Sequence, residues 1–367
     1  MSRPSRSVLI IGGGLAGSAA AATLARRGWQ VTLIADNDAD RASDIPAAVM
    51  APAIGGATDP LTRLRRRGLN VTEAWLAHLE RAGLDCGRIA RGTLLLPGNE
   101  RDRARHLRVP PDDPDARHVT PPEAHAAVGI EPPTGGVLHS RGGCIHPDRL
   151  ATALRHAHGA RIHQLSACVD RLVAHPNGWT AESATGEPLA TAETTILAAG
   201  TACTRLWPQT RRWLLPARGQ ATAFEATAAT AGLRVPISGG GYVTPAIDGT
   251  HWAGATLQRG DTDRTPRADD DRTNLGFAQT CLGLGAPLDP IDRFVGFRTT
   301  TPNRIPLVGR LADHLWISAG HGAHGLLTTP LAALLLANAL KGHRHPLLRF
   351  LDPDTRRDGH PTDANLK

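Results

Sequence analysis

The stretch Val8-Leu9-Ile10-Ile11-Gly12-Gly13-Gly14-Leu15-Ala16-Gly17 decides the fold. An apolar run that ends in glycines reads as a buried parallel strand. Leu15 to Arg27 continues as an alanine-rich helix closed by Gly28, and Gln30 to Ala35 reads as a second strand. The spacing is G-x-G-x-x-G between a strand and a helix, the context that makes this motif a dinucleotide site. Gly12 permits the tight turn, Gly14 lets backbone approach a pyrophosphate, and Gly17 lets helix and strand pack closely. The first N–H groups of the helix, at Leu15 and Ala16, face the phosphates with the positive end of the helix dipole. An acid should end the second strand and hold the ribose hydroxyls. Ala35 occupies that slot, and the acid is Asp36, one place late, followed by Asn37 and Asp38. No basic residue stands there, which argues against a 2′-phosphate.

Outward from this core, Asp59 to Leu84 has helical periodicity and carries an exposed basic run, Arg63 to Arg67. Prolines punctuate a loop-rich region from Pro110 to Pro122. His146 to Ala157 reads as a helix with Pro147 in its first turn. Arg161 to Ala174 and Trp179 to Ala192 alternate as strands, and Thr195 to Ala199 is an apolar strand stopped by Gly200. Arg218 to Ala223, Gly241 to Pro245, Trp252 to Leu257 and Phe294 to Thr299 read as a second, more antiparallel sheet. Thr328 to Leu340 is an apolar helix.

Composition narrows the class. The net charge is +7, from 41 basic and 34 acidic residues, but only Lys341 and Lys367 are lysines. Arginine-rich, lysine-poor usage is what a GC-rich genome imposes on any chain, so charge alone is a weak pointer to nucleic acid. No apolar run approaches the roughly 18 residues of a membrane span. Met1 to Arg27 mimics a signal peptide, but the glycine pattern explains it better. Five scattered cysteines with no C-x-x-C indicate a reduced, cytoplasmic protein without disulfides or a zinc finger.

A second glycine-rich loop, Gly320 to Gly325, leads through Leu326, Leu327 and Thr328 into the C-terminal helix. A helix N-terminus aimed at a flavin ring stabilises the negative charge that reduction places there. Ala199 and Gly200 end a strand of the kind that closes on the same cofactor, and Val169 stands where a backbone contact to adenine is expected. FAD uses both glycine loops, whereas NAD needs only the first. The fold class is therefore α/β, a Rossmann-like FAD-binding domain with an inserted, mainly antiparallel β-sheet substrate domain. The boundaries read as 1–82, 141–212 and 305–351 for the first, 83–140 and 213–304 for the second, and 352–367 as a frayed tail.

Five stretches carry a family resemblance. They are Ala42–Pro52 (ASDIPAAVMAP) with Asp59-Pro60-Leu61, Gly142–Pro147 (GGCIHP), Pro216–Gln220 (PARGQ), Gly240–Ala246 (GGYVTPA) with Gly254-Ala255-Thr256, and Gly296–Gly309 (GFRTTTPNRIPLVG). Over nearly its whole length the chain resembles the D-amino-acid-oxidase-like (DAO) family of FAD enzymes. Within that family it is most similar to the FAD domain of the bifunctional enzymes that modify tRNA wobble uridine. It departs from that subgroup at Asp44-Ile45, where Gly-Asn is usual, and at His324, where an arginine is usual.

The resemblance implies a set of roles. Arg298 grips a substrate carboxylate and Tyr242, the only tyrosine, assists. A planar guanidinium binds a carboxylate bidentately, and a phenol donates to the same group. Ser43 joins the cofactor contacts, and His321 and His324 lie near the flavin and substrate. With His314 they invite a metal reading, but a cofactor helix needs no metal and none is expected. FAD is expected to be non-covalent. The implied reaction oxidises the C–N bond of an N-substituted glycine, foremost the carboxymethylaminomethyl group of a tRNA wobble uridine, releasing the aminomethyl uridine and glyoxylate. tRNA would then be the partner, and methyl transfer would fall to a separate methyltransferase chain. The alternatives are a free amino-acid or amine oxidase such as a glycine oxidase, with a small-molecule partner, and a flavin-binding paralogue without turnover.

Overall fold

A computed structural model describes residues 6–36, 41–54, 59–343 and 345–357. Asn37 and Asp38 lie outside the described residues. Six strands form one sheet in the order Leu307–Ala312, Leu315–Ala319, Thr194–Leu197, Ser7–Ile11, Gln30–Ala35, Ile162–Ser166. Neighbours run parallel except Leu307–Ala312, which folds back on Leu315–Ala319. The central strand Ser7–Ile11 is sheathed on both faces, as its unbroken apolar sequence requires. The helix Leu15–Arg26 packs through buried Ala19, Ala20, Ala21, Ala22 and Ala25. These small side chains let it lie close to the apolar helix Gly325–Ala339.

A three-stranded antiparallel sheet, Arg171–His175, Gly178–Glu182 and Pro188–Ala192, stands beside the first. A ten-stranded sheet, mostly antiparallel, holds Arg88–Leu95, Gly136–Ile145, Leu215–Glu225, Tyr242–Val243, Thr250–Gly254 and Asp292–Thr300. Ala48–Met50 also joins it, paired with Gly143–Ile145. The helix Ala268–Leu282 packs on this sheet through polar groups. Arg218, fully buried, donates to Asp263 O (2.8 Å), Thr265 O (2.6 Å) and the Asp270 carboxylate. Asp271 accepts from Gln220 Nε2 (2.8 Å), Thr222 Oγ1 (2.8 Å) and Arg293 Nε (2.7 Å). This network anchors the segment around residues 258–267 at the sheet edge.

Two expectations need correction. Residues 352–357 are not frayed, since Asp352 Oδ1 caps a helical turn at Asp354–Arg357 by accepting the Asp354 N–H (3.0 Å). Gly309 makes room for this segment, because a Cβ there would lie 2.7 Å from Pro353. The basic run Arg63 to Arg67 is only partly exposed. Adjacent helical residues point around the whole circumference, so Arg63 and Arg67 face solvent while Arg65 and Arg66 are half-buried.

The helix Pro60–Arg81 is clasped to the start of Gly325–Ala339. Pro330 lacks an N–H and leaves the Leu326 carbonyl without its helical donor. Thr72 Oγ1, fully buried, fills the place, its one proton shared between Leu326 O at 2.7 Å and Gly68 O of its own helix at 2.9 Å. Gly68 permits the approach, because a Cβ there would meet Leu327 O at 1.5 Å. Thr72→Val keeps the shape and removes the donor. It should cost about 1–3 kcal/mol, the penalty of a buried unsatisfied acceptor, read by urea denaturation. A loss within error would show that the clasp adds nothing to stability.

Candidate active site

A cavity of about 850 Å³ runs between the six-stranded and ten-stranded sheets. One end is the glycine loop. Gly12 has φ +118°, and a Cβ there would lie 2.3 Å from Ala198 O. Gly17 packs so closely that its Cβ would fall 1.8 Å from Gly12 O. Gly14 meets only Ser43 Oγ at ordinary contact distance, so its side stays open to a ligand. Ser43 Oγ accepts the Leu15 N–H at 3.1 Å, and its hydroxyl proton remains available. No acidic residue stands in the first helical turn, so nothing neutralises the dipole there.

The other end is a wall of the ten-stranded sheet. Arg298 sits on Asp292–Thr300, opposite Ala217 in the register, and Tyr242 pairs with Gly254. Both side chains line the cavity. Burial lowers the Arg298 pKa, and Tyr242 raises it slightly in return; burial pushes the Tyr242 phenol up. At neutral pH the site therefore offers one cation and one neutral donor. Gly219 is the floor under Arg298, because a Cβ there would meet Arg298 Nη1 at 2.7 Å and Thr256 O at 2.9 Å. Arg298 Nη1 itself donates to Thr256 O at 3.4 Å. Tyr242 Oη donates to Ala47 O, also at 3.4 Å. Both bonds are long, so both groups are available to a ligand.

His321 and His324 stand where the C-terminal helix begins. Thr328 Oγ1 donates to His324 O (2.9 Å) and therefore accepts from His321 Nδ1 (2.9 Å). In the neutral ring, Nδ1 then carries the proton and Nε2 accepts from Ser318 Oγ (3.1 Å). Burial favours that neutral form, lowering His321 to about 3. His324 is lowered to about 3 by burial and then by Arg65, Arg304 and Arg298. The positive end of the helix also disfavours a cation at either ring.

The cavity collects most of the residues singled out from the sequence. Gly12, Gly14, Leu15, Ala16, Asp36, Ser43, Val169, Ala199, Gly200, Gly325, Leu326, Leu327, His321, His324, Tyr242 and Arg298 line it. Gly17 and Thr328 do not; they act behind it, in helix packing and in fixing His321. Asp36 reaches the wall even though it follows the usual slot. Val169 presents a carbonyl already taken by Arg205 Nη2 (2.7 Å). His314 lies in the turn before Leu315–Ala319, at the far end of that strand from His321. Among the described residues no three His, Cys, Asp or Glu side chains converge as a metal site.

A family profile described as DAO, FAD dependent oxidoreductase, matches residues 7–339. The chain belongs to the DAO family. It is similar to the tRNA 5-methylaminomethyl-2-thiouridine biosynthesis bifunctional protein MnmC of Burkholderia cenocepacia (strain HI2424), with 35% identity over 382 residues. That match covers 94% of this chain and 59% of the relative. The MnmC protein of Azoarcus sp. (strain BH72) is also 35% identical, over 94% of this chain and 58% of its own length. The chain thus spans under two thirds of these curated relatives. Among solved structures, glycine oxidase from Bacillus cereus ATCC 14579 superposes with a TM-score of 0.80 at 24% identity, covering 95% of this chain and 98% of that one. L-proline dehydrogenase from P. horikoshii gives 0.81 at 17%, covering 98% and 100%. These likenesses establish the fold.

The cofactor of this DAO chain is FAD, and the residues present fit it. The glycine loop and the uncapped dipole suit a pyrophosphate. Thr299 Oγ1 is buried on the cavity wall beside Gly200 and has no hydrogen-bond partner among the described residues. A buried orphan hydroxyl facing a cavity indicates a ligand that satisfies it. Sequence reasoning missed Thr299, Gly219, Arg41 and Arg205, all of which line the cavity. Gly219 and Thr299 each carried a signal, by sitting in the PARGQ and GFRTTTPNRIPLVG stretches.

Two outcomes follow from the geometry. Gly219→Ala should displace the Arg298 guanidinium and weaken a carboxylate probe such as acetate about tenfold, the worth of roughly one charge-assisted hydrogen bond. Perturbation of the flavin spectrum reads this, with FAD content unchanged; unaltered acetate affinity would separate Gly219 from Arg298. Both histidine rings should stay neutral from pH 9 down to pH 5 in NMR spectra of 13C-histidine-labelled protein. Their native pKa values lie below the ordinary 6.5, so between about 6.5 and about 3 the unfolded chain binds more protons. Stability is then lost as pH falls through that window.

Proposed function

We propose that this FAD-dependent oxidoreductase oxidises the C–N bond of an N-substituted glycine, and that the glycine is the carboxymethylaminomethyl group of a tRNA wobble uridine. The observation that carries the reading is the pairing of Arg298 with Tyr242 on a cavity wall facing the dinucleotide loop. The 35% identity to proteins named for tRNA 5-methylaminomethyl-2-thiouridine biosynthesis supports the substrate.

The chain's own groups orient the substrate. Arg298 takes the carboxylate as a bidentate pair, and its burial strengthens that pair relative to water. Tyr242 remains protonated and donates to the same carboxylate. His321 and His324 remain neutral, so no second cation competes for it. FAD, held along the glycine loops, supplies the two-electron oxidation when bound. Fixed orientation supplies much of the rate, and no general base is demanded beyond an amine already deprotonated. Water hydrolysis of the resulting imine leaves the aminomethyl uridine and glyoxylate.

The same Arg298–Tyr242 pair would hold any α-amino carboxylate, which is the case for a free amino-acid oxidase. The glycine oxidase likeness favours that second reading no further than the shared fold. The tRNA reading entails a cytoplasmic protein. Among the described residues no helix is long and apolar enough to cross a membrane.

The FAD-loaded protein should convert tRNA bearing the carboxymethylaminomethyl group to the aminomethyl nucleoside, seen by nucleoside mass spectrometry. Peroxide release from glycine, sarcosine or D-amino acids with untouched tRNA would instead select the free-substrate reading. Arg298→Ala should raise KM for the accepted substrate by about 100-fold, the loss of roughly 3 kcal/mol from a charged hydrogen-bonded pair. An unchanged KM would remove Arg298 from the site.

A further inference from the structure

One feature of the sequence has found no role in the cavity, the basic run on the helix Pro60–Arg81. Arg65, Gly68 and Thr72 fall on one face of that helix, at spacings of three and seven. Gly68 and Thr72 touch Leu327 and Leu326. The same face therefore brings Arg65 to the end of the helix Gly325–Ala339 that His324 precedes. Arg65 is half-buried, and its Nε is buried without a hydrogen-bond partner among the described residues. Arg304 reaches the same place from the turn Thr301–Ile305. It holds φ +61°, a left-handed conformation that few arginines adopt. The turn enforces it through Arg304 N–H to Thr301 O (3.1 Å), Ile305 N–H to Asn303 Oδ1 (3.1 Å) and Thr301 Oγ1 to Ile305 O (2.8 Å).

Arg304 thus lies close enough to act on Arg65, which is lowered to about 10 by burial first and by Arg304 next. Among the described residues neither forms an ion pair with a carboxylate, although such pairs bind many other arginines of the chain. Asp59 is near Arg65, but its Oδ1 accepts the Thr62 N–H at 2.8 Å and caps the helix. Arg105, also near Arg65, is paired with Asp102. Like charges gathered beside His324, one of them partly desolvated, repel each other and raise the free energy of the site unless an anion joins them.

We propose that Arg65 and Arg304 form, beside His324, an anion subsite that takes a backbone phosphodiester of the RNA carrying the reacting nucleotide. This rests on the tRNA reading above. Its chemistry differs from that of Arg298, which meets the carboxylate inside the cavity. A phosphodiester offers two oxygens to two guanidiniums and is suited to fixing register without reading sequence. His324, neutral, leaves the charge contrast to the two arginines.

The test uses the FAD-loaded full chain and a fluorescent anticodon stem-loop RNA, with anisotropy titrations across a range of salt. Arg65→Gln with Arg304→Gln should weaken binding about tenfold and lower the slope of log K against log salt by about 0.7, the release of one single-strand phosphate contact. Arg81→Gln, exposed and about 24 Å along the same helix, should leave the slope unchanged. Flavin absorbance and Tm check that each variant is folded. The subsite is overturned if the double variant binds RNA as the wild type does, or if Arg81→Gln loses as much. It is also overturned if millimolar inorganic phosphate stabilises only the wild type while RNA affinity is shared by both, which marks a free-phosphate site. Oxidation of modified tRNA by the wild type, measured in parallel, separates the two claims. A variant-sensitive RNA affinity without turnover keeps the subsite and removes the substrate reading, and turnover with variant-insensitive affinity does the reverse. Absence of any RNA binding removes both.

Discussion

Contact between two pieces of bare backbone governs this molecule. Gly12 and Gly17 bring the first helix against the first strand with less space than a methyl group occupies. That approach fixes where the helix begins, and hence where its unpaired N–H groups and dipole point. The strand Thr194–Leu197 presses on the same turn from the other side, through Ala198. Every other wall of the cavity is placed relative to this crossing. A side chain at Gly12 would meet a carbonyl that belongs to the central sheet and has no freedom to retreat.

The substrate wall is built by different means. Arg218 is wholly buried and spends its guanidinium on two backbone carbonyls, the side-chain amides of Gln220 and Gln258, and the Asp270 carboxylate. Such a network gives little net stability compared with an apolar core of the same volume. It does hold a sheet edge and a loop in one geometry, because each partner would be left unsatisfied if another moved. Arg298 follows Phe297, the cross-strand partner of Arg218, and itself faces Ala217, so its strand position inherits the rigidity of Arg218.

Much of this was legible in the sequence, and the gaps have physical causes. The Rossmann-like half announces itself through glycine spacing and unbroken apolar strands. Ala268–Leu282 was invisible to hydrophobic periodicity because its buried face carries Asp270, Asp271 and Asn274. Arg88–Leu95 and Gly136–Ile145 escaped because two register shifts and the positive-φ glycines Gly92, Gly142 and Gly143 break the alternation of a strand. In the site, the family resemblance indicated Arg298, Tyr242 and the two histidines. Thr299 and Gly219 matter through an empty hydrogen-bond valence and a missing Cβ, which only coordinates display. The contribution of Arg65 depends on which way one helix is turned, and a run of adjacent arginines does not encode that.

Pro330 invites a last consequence. By deleting one donor from its own helix it makes that helix depend on a hydroxyl from another. The two helices are then a single mechanical part. Sliding or tilting one against the other would take that hydroxyl donor away from the Leu326 carbonyl. The arginine-bearing helix and the cofactor-facing helix end therefore share one frame, with no hinge between them. A ligand seated on the first would sharpen the position of the second by removing slack, without any change of shape.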